Sequence, residues 1–409
     1  MQKFLDWLER VLTPLAKVIG ENKYLVAIRD GFLLSTPLLI VGSVFLLIAN
    51  FPLPQWDTWM SHLLGKDWAT MMSVPASASF DVMTILAVVG IAYSLGKQFN
   101  VDAMQAGIIA LVSFFIVTPY QTLFTPENSS KVYEVTSLPL KWMGSSGLFL
   151  GMIVALIATR LFVAIVRKGW TIKMPEGVPP TVVKSFEALI PSFLVVTLMF
   201  LVNWLAALTP YGNLQDVIFE FLQTPLLSLG NTLGAMSIAY LFLHFFWFFG
   251  INGGSVVGAV FNPVLRALSV ENLQAFKDGH EIPNIITGQF QDMFATFGGA
   301  GSTLSLIIVM VLFCKSQRIK KLSQLSLIPG VFGINEPIIF GLPIVLNPIL
   351  LIPFVLVPAI NIIIAYFAMD WGLVPLTNGI QLPWTTPPII SGFLVSGWQG
   401  SILQALLLV

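Results

Sequence analysis

Charge is scarce in this chain. Of 409 residues only 10% are Asp, Glu, Lys or Arg, against 56% hydrophobic, and the mean hydropathy is +0.86. A soluble domain carries about 25% charge, so the composition excludes an ordinary water-soluble fold and points to a polytopic membrane protein. Twenty Lys and Arg balance twenty Asp and Glu, and no long basic run exists, which argues against nucleic-acid binding. The single cysteine, Cys314, rules out an internal disulfide framework. It stands in Val-Leu-Phe-Cys at a helix end, where an inert packing role is expected. A cleavable signal peptide is also missing. Residues 1–20 instead alternate Phe4, Leu5, Leu8, Leu12 and Leu15 with Lys3, Asp6, Glu9, Arg10 and Lys17, an amphipathic helix suited to a membrane surface.

What the chain does have is long apolar stretches. A bilayer-crossing helix needs roughly 20 mainly apolar residues, and crossings are expected near 27–50, 76–97, 103–122, 143–166 and 183–209. After Pro210 the pattern breaks. Residues 213–230 look amphipathic and 231–250 reads as a crossing, while 251–270 is interrupted by Gly253, Gly254, Gly258 and Pro263. A polar stretch, a short segment at 284–298, a crossing at 303–317, a hairpin at 327–345 and crossings near 347–369 and 386–409 follow. A regular first half and a broken second half suggest a scaffold, 1–210, followed by a transport domain, 211–409, because irregular intramembrane elements gather where substrate binds. Lys3, Arg10, Lys17, Lys23, Arg29, Lys97, Arg167, Lys168, Lys173 and the 315–321 basic cluster set the orientation, with a cytoplasmic N-terminus. The last residues, Leu406–Val409, carry no basic anchor, which leaves room for a longer natural chain.

Gly333-Ile-Asn-Glu-Pro-Ile-Ile-Phe-Gly341 places one carboxylate, Glu336, in an apolar segment broken by Gly and Pro. Ionisable groups at membrane depth are costly and usually face a substrate path. Irregular backbone survives there only where protein or a wet cavity satisfies it. The segment therefore reads as a re-entrant hairpin offering Glu336 to a polar ligand.

Taken in order, several stretches resemble one family. They are Arg29-Asp-Gly-Phe32, Pro37–Ser43, Gly144-Ser-Ser-Gly-Leu-Phe149, Val178-Pro-Pro180 with Phe186–Pro191, Trp247-Phe-Phe-Gly-Ile-Asn-Gly253, Gly298-Gly-Ala-Gly-Ser-Thr303 and Asn335-Glu-Pro337. The chain is similar, over nearly its whole length, to the lactose/cellobiose/diacetylchitobiose family of bacterial phosphotransferase-system enzyme IIC permeases. The resemblance implies an all-α polytopic membrane protein of the glucose-superfamily type, with about ten transmembrane helices and two re-entrant hairpins. It also implies a homodimer built on the N-terminal half and a location in the bacterial plasma membrane. The expected substrate is a β-linked disaccharide whose 6-hydroxyl is phosphorylated by a phosphocysteine on a separate, cytoplasmic enzyme IIB. No cofactor and no metal are expected.

By that resemblance Glu336 is the catalytic residue, holding and deprotonating the 6-hydroxyl; a poorly solvated carboxylate suits a general base. A Glu bonded to hairpin N–H groups for shape alone is the bland alternative. Asn335 joins the substrate-binding set, and so do Ser146 and Gly147, whose other reading is small-residue helix packing. The sequence departs from the family at Asn252, where the pattern has His. Asn hydrogen-bonds a hydroxyl but carries no proton or charge, so proton transfer would rest on Glu336. His244, two helical turns earlier, reads more simply as a buried histidine than as a substitute. Trp247 and Trp384 are either sugar platforms, an indole packing on the C–H face of a pyranose, or interface-belt residues. Gln289 and Asp292 supply donors and acceptors suited to sugar hydroxyls, or cap a short helix. The Gly298–Thr303 run has no following Lys and so is no nucleotide loop. A proton- or sodium-coupled sugar transporter is the main rival reading, and a sugar sensor without flux the weaker one.

Overall fold

The computed structural model describes residues 14, 18, 21–51, 55–124, 131–175, 177–248, 253–296, 298–342, 344 and 347–408. The expected amphipathic helix at 1–20 thus lies almost entirely outside the described residues, as does Asn252. Among the described residues the fold is mostly helical, with one small antiparallel hairpin pairing Gln121–Phe124 with Tyr133–Thr136 in the register Gln121 opposite Thr136. Six helical stretches among the described residues are long and apolar enough to cross a membrane. They are Lys23–Ala49, Trp68–Gln98, Ser145–Arg167, Pro180–Ala207, Gly288–Phe313 and Ile349–Asp370. The bent pair Leu214–Gly230 and Leu233–Trp247 makes a seventh if taken as one span.

The residues divide into two compact units. One comprises 23–39 and 77–226. Its core is the packing of helices Met83–Gln98, Ala103–Ile116 and Leu148–Arg167 through Val88, Ile91, Leu95, Ala106, Ala110, Phe114, Leu148, Val154 and Phe162, all buried. Small residues let these backbones approach. A Cβ on Gly90 would lie 2.6 Å from the Gly31 carbonyl oxygen, and one on Gly151 would lie 2.7 Å from Cγ2 of Thr84. Such contacts are how apolar helices associate where lipid offers no hydrophobic gain. The Ala103 helix starts at an Asp102 cap, whose carboxylate accepts from the Gln105 N–H at 3.0 Å.

The sequence pattern predicts a crossing over 103–122, but this helix stops at Ile116. Thr118 precedes Pro119, a position that disfavours helical backbone, and its hydroxyl turns back to the Phe114 carbonyl at 2.8 Å.

The second unit comprises 1–22, 40–76 and 227–409. Gly253–Lys277 forms one helix through Pro263 where an interrupted segment was expected. Its far end carries Asn272, whose amide donates to the Asn284 and Thr377 carbonyls at 2.8 and 2.9 Å. Gln404 of the last helix accepts from the Ile389 and Gly392 N–H groups at 2.6 and 2.9 Å and donates to the Met293 carbonyl. Buried side-chain amides of this kind satisfy the backbone that irregular segments leave open. The apolar core of this unit gathers Ala300, Ile307, Met310, Ile338, Ile339, Ile344, Phe354 and Val355.

Candidate functional site

The Gly333–Gly341 segment is a helix–turn–helix hairpin. Helix Gln317–Val331 ends on the N–H groups of Gly333 and Ile334, which donate to the Gly330 and Pro329 carbonyls, both at 3.0 Å. Gly333 sits at φ +76°, left-handed backbone that only glycine adopts freely. Glu336 then opens a second short helix, Glu336–Gly341, whose first turn is closed by the Asn335 carbonyl accepting from the N–H groups of Ile338 and Ile339 at 3.1 and 3.0 Å. This arm folds back on the first: a Cβ on Gly341 would lie 2.5 Å from Cδ1 of Leu322. Ile338 and Ile339 are buried in the apolar core and fix the arm by burying hydrocarbon. The backbone at Glu336 is set by these contacts; its side chain is outside the described part of the structure.

Two other segments meet the turn. Asn335 is buried, and its amide donates to the Ala300 carbonyl at 2.8 Å and the Thr303 hydroxyl at 3.0 Å. Both partners belong to the Gly298–Thr303 loop, in which Gly298, Gly299, Gly301 and Ser302 all have positive φ. A Cβ on Gly299 would stand 2.7 Å from Cγ of Asn335, so the loop glycine is what lets the amide in. From the Gln381–Pro388 stretch, Trp384 lays its ring on Gly333 while remaining 59% exposed.

Trp247 lies differently. It is half-buried and packs against the apolar core cluster. Gln289 is buried, with its amide donating to the Gly379 carbonyl at 3.2 Å and its side-chain oxygen unpartnered among the described residues. Asp292 is half-buried in the π-turn Gln291–Ala295 and interacts electrostatically with Arg266 of the Gly253–Lys277 helix. Ser146 and Gly147 belong to the other unit, in a 3-10 turn held by the Gln223 amide donating to the Ser145 carbonyl at 3.3 Å. His244 is fully buried, Nδ1 sharing a hydrogen with the Tyr240 carbonyl at 2.8 Å and Nε2 unpartnered among the described residues.

Two polar groups went unnoticed in the sequence. Asn361, inside an apolar helix, donates to the Ser302 hydroxyl at 3.1 Å and so gives the glycine loop a second side-chain anchor beside Asn335. Arg266 is the cation beside Asp292. A lone Asn or Arg within a hydrophobic stretch was the available signal in both cases.

A family model described as the phosphotransferase system EIIC matches residues 29–358, most of the chain and all of the hairpin. The chain is a phosphotransferase-system enzyme IIC. Among its relatives, the "PTS system cellobiose-specific EIIC component" of Geobacillus stearothermophilus is 41% identical over 99% of this chain and 91% of its own length. The "Lichenan permease IIC component" of Bacillus subtilis (strain 168) is also 41% identical, over 99% and 90%. The "PTS system oligo-beta-mannoside-specific EIIC component" of the same organism is 39% identical over 97% and 89%. The crystal structure of the transporter ChbC, described as the IIC component from the N,N'-diacetylchitobiose-specific phosphotransferase system, superposes with a TM-score of 0.95. It is 43% identical and covers 98% of this chain and 94% of that one. This enzyme IIC is therefore a multi-pass membrane permease for sugar.

Proposed function

We propose that this enzyme IIC imports a β-linked disaccharide and presents its 6-hydroxyl beside Glu336 for phosphorylation by enzyme IIB. The observation that carries this reading is the junction at Gly333. An exposed indole, Trp384, lies on the turn that leads within three residues to Glu336. An indole face offers a sugar ring an apolar seat, and a carboxylate accepts a hydroxyl hydrogen at the ring's edge. Glu336 takes the proton of the 6-hydroxyl as its oxygen attacks phosphorus on the enzyme IIB phosphocysteine. The phosphorus–sulfur bond breaks and the cysteine leaves as thiolate. Asn252 orients the hydroxyl without carrying charge, and Gln289 and Asp292 serve the more distant hydroxyls, with Trp247 walling the site. The family resemblance assigns sugar contacts to Ser146 and Gly147 as well.

In this reading the chain has about ten crossings and two re-entrant hairpins, with its N-terminus in the cytoplasm. Residues 1–210 form a dimerising scaffold and 211–409 the part that carries sugar across. The relatives' names, which specify cellobiose, lichenan and oligo-β-mannoside, support a neutral β-linked substrate. The test is uptake of radiolabelled cellobiose into vesicles with and without phosphorylated enzyme IIB. Accumulation only as the 6-phosphate, and only with enzyme IIB, is expected. Unmodified sugar accumulating on a proton or sodium gradient would overturn the reading.

A further inference from the structure

Three cations converge on one aromatic ring at the basic end of the 23–39 and 77–226 unit. Lys23 Nζ lies 4.7 Å from the Phe99 ring centre, Arg160 Cζ 5.4 Å and Arg167 Cζ 5.3 Å. Lys23 also donates to the Gln98 carbonyl at 3.2 Å, and Arg167 Nη2 to the Phe99 carbonyl at 3.0 Å. The backbone and the ring thus pin all three charges in a space no wider than about twice those ring distances. All three side chains are exposed. Neither ion pair among the described residues, Arg29 with Asp30 or Lys184 with Asp102, involves any of them. Three like charges held together, none of them ion-paired among the described residues, repel one another until an anion sits among them.

Arg160 decides which anion. It is not at a helix end but seven residues inside one, on a crossing that runs Ser145–Arg167. One turn further in, Ile157 is 46% exposed, and on the neighbouring helix Met104, Ile108 and Val112 are exposed at successive turns. The Arg160 side chain therefore leaves an apolar, lipid-facing surface and reaches along its own stem to the level of Phe99, as long basic side chains do near a membrane interface. A soluble anion has nothing to lay against Ile157. A phospholipid has: its chains cover that surface and its phosphate meets the cations.

We infer that Lys23, Arg160 and Arg167, gathered on Phe99, form a binding site for the phosphate of an anionic phospholipid headgroup. The site shares no residue with the proposed sugar site and does not rest on the transport reading above.

Native mass spectrometry of the detergent-solubilised full chain tests this, using phosphatidylglycerol and phosphatidylcholine of the same acyl length. The wild type should retain phosphatidylglycerol preferentially, and each charge removed should weaken that retention on the order of fivefold. Arg160→Gln with Arg167→Gln should therefore nearly abolish the preference. Arg160→Lys with Arg167→Lys should restore most of it, which separates loss of charge from loss of fold. Equal retention of the two lipids by the wild type would overturn the site, as would an unchanged preference in the double Gln variant. So would displacement of the lipid by low-millimolar inorganic phosphate, which would mark a site for free anions.

Discussion

Trp384 rests on the backbone of Gly333: a Cβ built on that glycine would lie 3.3 Å from Cζ3 and 3.4 Å from Cε3 of the indole. The contact joins the Gln381–Pro388 stretch to the turn that delivers Glu336, and it leaves most of the indole open to a ligand.

Gly333→Ala should disturb that contact and the turn together. The left-handed backbone costs an L-residue on the order of 1–2 kcal/mol, and at φ +76° the alanine cannot escape it. A lowered melting temperature in detergent, together with weaker sugar binding, is expected. An unaltered melting temperature and affinity would show that the turn is not constrained.

Trp384→Ala separates binding from folding. The side chain is 59% exposed, so removing it should scarcely change thermal stability. Loss of the ring's stacking face should weaken sugar affinity by roughly tenfold or more. Equilibrium binding of labelled cellobiose reads the effect, and an affinity within twofold of wild type would exclude a platform role.

Asn335→Ala acts on structure. It removes the donor to the Ala300 carbonyl and the Thr303 hydroxyl, leaving buried acceptors unpaired at a cost of about 1–3 kcal/mol. Asn335→Asp should be worse, since a buried, acceptor-only carboxylate meets the Ala300 carbonyl with no hydrogen to offer it. Detergent melting temperatures falling in the order wild type, Ala, Asp would bear this out; an Asp variant as stable as wild type would contradict it.

Acid should weaken the Asp102 cap. The Gln105 N–H holds this carboxyl below its ordinary value, against a contrary effect of burial, and the Lys184 ammonium 3.1 Å away assists. A carboxyl lowered in the fold stabilises above its unfolded value, near 3.9 for Asp, and loses that stabilisation as pH falls through the lower folded value. Asp102→Asn should therefore melt below wild type at neutral pH, with the gap closing below about pH 4. A gap that does not narrow as the pH is lowered below about 4 would assign the effect to something other than charge.

Much of this was legible in the sequence because the bilayer constrains composition so strongly. Low charge and long apolar runs give the class, and the Gly, Asn and Pro around Glu336 mark a break between two helices, Gln317–Val331 and Glu336–Gly341. Helix ends were harder. The 103–122 run is apolar throughout, yet the helix stops at Ile116 because Pro119 restricts the residue before it. Pro263 misled the other way, since the Gly253–Lys277 helix continues through it. Asn335 stands in the sugar-binding set through the family's Asn335-Glu-Pro337 segment, and the structure adds a second role. Its amide is occupied by the Gly298–Thr303 loop, a pairing between residues more than thirty apart that no local pattern signals. The part played by Asn361 was hidden for the same reason.

The most direct measurement is the rate of sugar 6-phosphate formation by Glu336→Gln with phosphorylated enzyme IIB present and sugar saturating. Glutamine keeps the size and hydrogen-bonding reach of the side chain but cannot take up the proton. A fall of about 100-fold or more in that rate, with sugar still bound, is the expected result. Product formed at the wild-type rate would show that some other group receives the hydroxyl proton, and the role given to Glu336 would be wrong.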